Sequence, residues 1–177
     1  MKGLGWFMAI VGTIALIIVI VIAVSRWYSF YNEIGDYLKL AGDAPTVEKA
    51  DSFLGTALNA IEHRGLTSGN SAFIFHKPNA DLGIWYNQIK GAKETTATVL
   101  KRASTDPGSL TQLERDNALM KIREVVLDNS SGGITVTTPP NITWYPQQWG
   151  ILMGIIISAI ILVIGVVLLL VAFDSGH

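Results

Sequence analysis

The stretch 149–173 reads WGILMGIIISAIILVIGVVLLLVAF and constrains everything else this chain can become. It holds no charge, and Ser158 is its one hydroxyl. As a helix rising 1.5 Å per residue it reaches about 37 Å, more than the ~30 Å hydrocarbon core of a bilayer. Every face of that helix is apolar, so a modest soluble domain has no means of covering it. The stretch predicts a transmembrane helix, followed only by the short tail 174–177.

A second apolar run, 4–24, lies between Lys2 and Arg26. It reaches about 31 Å as a helix, again enough to span. The competing reading is a cleaved signal peptide, since Ala23-Val24-Ser25 looks loosely like a small-residue cleavage site. Its apolar core, however, exceeds the roughly 7–15 residues of a signal h-region, so 1–25 is expected to be an uncleaved signal anchor. Aromatic residues mark the ends of both spans. Trp6 and Phe7 sit at one interface, and Trp27, Tyr28, Trp144, Tyr145 and Trp149 converge on the other. Two spans place both termini on one side. Lys2 and the amino terminus favour the cytoplasm for them, and put 25–148 outside a plasma or cytoplasmic membrane, in the periplasm or extracellular space.

The intervening residues carry helical patterns. Trp27, Tyr31, Ile34, Leu38 and Ala41 continue the first helix out to about Leu40, where Gly42-Asp43-Ala44-Pro45 stops it. Thr46 caps a second helix whose stripe is Val47, Ala50, Leu54, Ala57 and Ile61. A third follows Pro78-Asn79, with Asn79 as its expected cap and a seam of Leu82, Trp85, Ile89, Ala92, Thr96, Val99 and Ala103. It closes at 104–108. Thr111-Gln112-Leu113-Glu114 matches a capping box and opens a fourth helix, with Leu113, Met120 and Leu127 on its stripe and Leu119, Ile122 and Val126 beside them. The run 129–133 ends it after Asp128. Four such helices predict an up-down, four-helix-like bundle. The strand-like pieces 72–76 and 134–138 are expected to pair as a short two-stranded ribbon near the membrane.

The expected organisation is therefore transmembrane helix 1 over 1–25 and an extracytoplasmic helical bundle over 26–128. A linker containing glycine and proline covers 129–148, transmembrane helix 2 covers 149–173, and the tail is 174–177. The fold class is an all-α membrane protein. Its layout is similar to that of the four-helix sensor domains of chemoreceptors and sensor kinases. It departs from them after the second span, where four residues leave no room for an output module.

Composition and motifs exclude most chemistry. Lys and Arg number 13 against 14 Asp and Glu, so a net charge of −1 offers no basic field for nucleic acid. With no cysteine there is no disulfide, thiolate nucleophile or Cys-based metal site. His63 and His76 match no ligand spacing, and the loop 65–71, rich in hydroxyls, lacks the lysine and following helix of a phosphate cradle. No GxSxG, HExxH, P-loop or GxGxxG is present. No catalytic residue, cofactor or metal is expected. Asn129-Ser130-Ser131 and Asn141-Ile142-Thr143 match the glycosylation acceptor pattern.

What the spans do carry is small residues four apart. Gly150, Gly154 and Ser158 mark one face of the second span, and Gly5, Ala9 and Thr13 one face of the first. Such faces let membrane helices approach closely. The two sets lie at opposite depths, so they cannot face each other, and at least one is expected to serve another subunit. The leading expectation is a non-catalytic two-pass subunit, a structural, accessory or assembly component bound to other integral membrane subunits or to copies of itself, and to the lipid bilayer. One alternative is a ligand-sensing helical domain that signals through a partner, with Tyr37, Trp85, Tyr86 and Asn87 lining its pocket. A further one is a homo-oligomeric viral or membrane-remodelling protein.

Overall fold

In the computed structural model of the chain, residues 2–106, 108, 110–130 and 133–174 are described. The tail beyond Asp174, Pro107 of the expected break, and Ser131-Gly132 of the expected helix end lie outside them. The protein is mostly helical, with one small antiparallel sheet. Its elements are α1 (Lys2–Phe30), a π-helical turn (Tyr31–Gly35), α2 (Asp36–Gly42), α3 (Val47–His63), α4 (Leu82–Thr105), α5 (Gln112–Val126), β1 (Leu127–Ser130), β2 (Gly133–Val136) and α6 (Gln148–Asp174). They form two compact units, Met1–Tyr28 with Thr143–His177, and Ser29–Ile142.

In the second unit α2 packs on α3 and α5, α3 packs on α4, and α4 packs on α5. The core is the set of stripes that the sequence spacing brings onto facing sides. Ile34, Leu38 and Ala41 from the first helix meet Ala50, Leu54 and Ile61 from α3 and Leu82, Ile89 and Ala92 from α4. Each large aliphatic side chain so buried contributes about 1.5–3 kcal/mol. Thr46 caps α3 by accepting from the Lys49 amide. Thr111 and Glu114 form the expected capping box on α5, each side chain accepting from the other's backbone N–H. The Thr111 amide and hydroxyl hold the Glu114 carboxyl below its ordinary range.

Four details differ from the sequence reading. The first helix is continuous from Lys2 to Gly42, but its π-helical turn inserts an extra residue per turn and rotates the face beyond it. The buried residue there is Phe30, while Trp27 stands about half exposed. The cap of α4 is Asp81, whose carboxylate accepts from the Ile84 amide at 2.9 Å; Asn79 sits in a short 3-10 turn before it. On α5 the buried stripe is Ala118, Ile122 and Val126, four apart. Leu113 and Met120 are 68% and 60% exposed.

The ribbon is also differently made. Its second strand falls where expected, but it pairs with Leu127–Ser130 in the register Leu127↔Val136 to Ser130↔Gly133, not with 72–76. Leu127 leaves the helix with φ −120° and ψ 141°, and Gly133 takes φ +117°, which suits a residue without a side chain. A hairpin closed within a few residues costs much less loop entropy than a ribbon reaching back some 60 residues. The segment 72–76 is an open loop instead. Its root is fixed by Ser71, fully buried, whose hydroxyl donates to the Pro140 carbonyl at 2.6 Å.

Candidate functional site

The site of interest is the pair of apolar helices in the first unit. Both α1 and α6 are long and apolar enough to span a membrane. Of the most apolar 18 residues in each, only 6% in α1 and 17% in α6 are buried. Most of these side chains are therefore left partly or wholly uncovered by the rest of the chain.

The buried residues lie on one narrow seam. On α6 they are Gln148, Ile151, Ser158, Gly165 and Ala172, the last four spaced by seven. On α1 the residues that face α6, Gly5, Gly12 and Val19, are also seven apart. A period of seven keeps one line of side chains facing one neighbour along two helices lying side by side. The helices run antiparallel. Gly5 sits against Leu169, Gly12 against Leu162 and Val19 against Gly154, while Lys2 Nζ lies 5.0 Å from the centre of the Phe173 ring.

Glycine sets how closely they pack. A Cβ built on Gly12 would stand 2.6 Å from the Leu162 backbone nitrogen, and one on Gly165 would stand 2.4 Å from that of Ala9. Neither site has room for a side chain, since backbone cannot step aside as a flexible side chain can. Close backbone approach of this kind is the main source of helix affinity where lipid removes the hydrophobic drive.

At the other end of the pair Arg26 acts as a clasp. Its Nε donates to the Thr143 carbonyl at 3.3 Å and its Nη2 to the Tyr145 carbonyl at 2.8 Å, while Nη1 reaches the Gln147 side-chain oxygen. The planar fork of donors on guanidinium suits this task, because it satisfies several acceptors of one turn at once. The clasp holds the segment that enters α6, which contains a cis Tyr145–Pro146 bond.

The six small residues singled out in the sequence divide as follows. Gly5 and Ser158 are buried in the seam, Gly154 faces Val19, and Ala9 offers its backbone to Gly165. Thr13 points outward, its hydroxyl donating to the Ala9 carbonyl one turn back at 2.8 Å. Gly150 is exposed, with nothing within 4 Å of where its side chain would be. The two sets do not face each other. Most of each is nevertheless used inside the chain, with the partner helix supplying different residues. Gly12 and Gly165 were not singled out, although the spacing of seven among Gly5 and Gly12, and among Ser158, Gly165 and Ala172, is visible in the sequence.

Outside the seam, Trp6, Ile10, Thr13 and Ile14 line a shallow groove of about 240 Å³ along α1. Of the aromatic residues expected at the interfaces, Trp6, Trp27, Tyr28 and Trp149 are exposed, and Trp144 and Tyr145 are partly covered. The residues proposed to line a sensing pocket have these surroundings. Trp85 is buried and donates to the Thr137 carbonyl at 2.8 Å, Tyr86 donates to Glu62 at 2.6 Å, Tyr37 packs towards Phe53, and Asn87 is exposed. Among the described residues no three histidines or carboxylates gather to hold a metal ion. No family model, no curated protein and no solved structure matches this chain.

Proposed function

We propose that this chain is a non-catalytic two-pass integral membrane subunit, a structural or accessory part of a larger membrane assembly. In this reading α1 and α6 cross the bilayer as a tight antiparallel pair. Residues 29–142 form a small up-down four-helix domain on the outer side, and both termini lie in the cytoplasm. The observation that carries the reading is the single narrow seam. Two helices of membrane length meet along one line of glycines and a few aliphatic side chains and leave most of their leucine, isoleucine and valine exposed. Neither apolar run holds an ionisable side chain, so an ion path or proton relay within one chain has no polar group to work with.

The groove beside Thr13 is the seat assigned to a partner helix. It keeps the two small members, Ala9 and Thr13, that the intramolecular seam leaves open on one side. Gly154, by contrast, belongs to the seam, and filling it would disturb the hairpin before any partner.

The test is the mass of the native particle after gentle detergent extraction, with every co-purifying chain identified. A particle holding other chains in fixed ratio is expected, and Thr13→Phe should release this chain from it while Gly150→Ala does not. A particle containing this chain alone would overturn the accessory reading and leave a homo-oligomer or a monomer.

A further inference from the structure

We propose that the loop 72–77 is a lipid anchor whose tip, Ile74 and Phe75, seats in the headgroup–acyl boundary of the bilayer; this rests on α1 and α6 spanning that bilayer. Ile74 and Phe75 are each 75% exposed, more than any other large apolar side chain among the described residues. They exceed even the outward residues of the two apolar helices. An apolar pair this exposed is costly in water and gains from a cover.

The place of the loop within its unit says what that cover is. The chain enters the second unit at Ser29 and leaves it at Ile142. Arg64, at the end of α3 and just before the loop region begins, donates to Ser29 and to Glu33. At the loop's root, Ser71 donates to the Pro140 carbonyl, and Phe73 and Phe75 share a groove of about 300 Å³ with Pro140 and Asn141. Both points at which the chain joins its apolar helices therefore lie at the end of the unit that bears this tip.

The chemistry of the tip fits lipid better than protein. Two side chains cannot build the roughly 1,000 Å² that a stable protein interface buries. They suit shallow insertion, as Phe and Ile do on interfacial helices. His76 and Lys77 follow directly, and 72–80 contains no acidic residue. A lysine beside an apolar tip can lay its stem along the tip and place its ammonium among the phosphates of the headgroups.

The chain has no cysteine, so single cysteines can carry a nitroxide without a background. Four full-length variants, Ile74→Cys, Phe75→Cys, Leu113→Cys and Ile17→Cys, would be placed in nanodiscs of phosphatidylcholine and phosphatidylglycerol. Collision of each label with oxygen and with a water-soluble nickel chelate reads its surroundings. The labels at 74 and 75 are expected to collide with nickel several-fold less, and with oxygen more, than the label at 113. Nickel access at 74 and 75 equal to that at 113, with the label at 17 in lipid, overturns the anchor and leaves the spanning helices standing. Nickel access at 17 overturns both. Shielding of 74 and 75 from both reagents marks a protein cover and also overturns the anchor.

Discussion

Gly154 lies directly opposite Val19, so that a Cβ built on the glycine would stand 3.2 Å from Val19 Cγ2. A cysteine at 19 would carry its sulfur where a Val19 Cγ now stands, 3.2 or 3.6 Å from that Cβ, within reach of a disulfide after a small adjustment. The double variant Val19→Cys/Gly154→Cys, in a chain that has no cysteine of its own, is expected to crosslink within one molecule on mild oxidation. Protease nicking between the helices should then leave two fragments that separate only on reduction. A product joining two chains instead would show that the seam is an intermolecular one.

The glycines of the seam should be far less tolerant than the exposed one. At Gly165 and Gly12 a side chain would run into backbone of the other helix, whereas at Gly150 it meets open space. Overpacking of this kind typically costs about 1–3 kcal/mol. Gly165→Val and Gly12→Val are expected to lower the detergent-unfolding midpoint and abolish the 19–154 crosslink. Gly150→Val should leave both unchanged.

Trp85 holds the segment after the hairpin. Its indole N–H donates to the Thr137 carbonyl at 2.8 Å, and the ring is almost wholly buried. Trp85→Phe keeps an aromatic ring there but leaves that acceptor without its donor, a loss of about 1 kcal/mol or somewhat more. The expected result is a lower urea midpoint for the full chain in micelles and faster amide exchange in 137–140. An unchanged midpoint would mean that water replaces the indole at no cost.

Acid should weaken the second unit through two carboxylates outside the apolar runs. Hydrogen bonds from Arg64 and then from Ser29 lower the pKa of Glu33, and the Thr111 amide lowers that of Glu114. A carboxyl whose folded pKa lies below its unfolded value adds stability that is complete above the ordinary value of 4.5. That stability disappears as pH falls through the depressed folded value. Thermal midpoints are therefore expected to hold down to about pH 5 and fall below it. The double variant Glu33→Gln/Glu114→Gln should start lower at neutral pH and show a flatter acid limb. An acid limb as steep as in the parent would assign the loss to other groups.

Local chemistry is what the sequence makes legible here. The caps at Thr46 and at Thr111 with Glu114, and the stripes of α3 and α4, depend on residues within a few positions of each other, so spacing alone finds them. The π-helical turn at Tyr31–Gly35 is different, since no local residue demands it and it comes with packing of the turn, Ile34 fully buried, against α3. Leu127 continues a helical apolar stripe and so reads as helix, yet a short hairpin closing on Gly133 captures it. In the apolar helices, the four-residue spacing of Gly150, Gly154 and Ser158 includes one residue outside the seam. The weaker-looking period of seven selects residues inside it.

The stripe of α5 is where competing periodicities can be separated by experiment. Leu113, Met120 and Leu127 recur every seven, but only Leu127, which is no longer helical, is buried. Ala118, Ile122 and Val126 recur every four, and all three are buried. A lone helix crossing a small core at an angle presents the i, i+4 row, and the heptad row then turns to solvent. Leu113→Gln and Met120→Gln are accordingly expected to shift stability by no more than about 0.5 kcal/mol. Ile122→Ala should cost about 2–5 kcal/mol, because the site is closed on all sides and leaves a cavity. Urea denaturation of the three variants, read by circular dichroism in micelles, checks this order. A loss at Leu113 or Met120 comparable to that at Ile122 would mean that a partner or a second copy covers the outer face of α5.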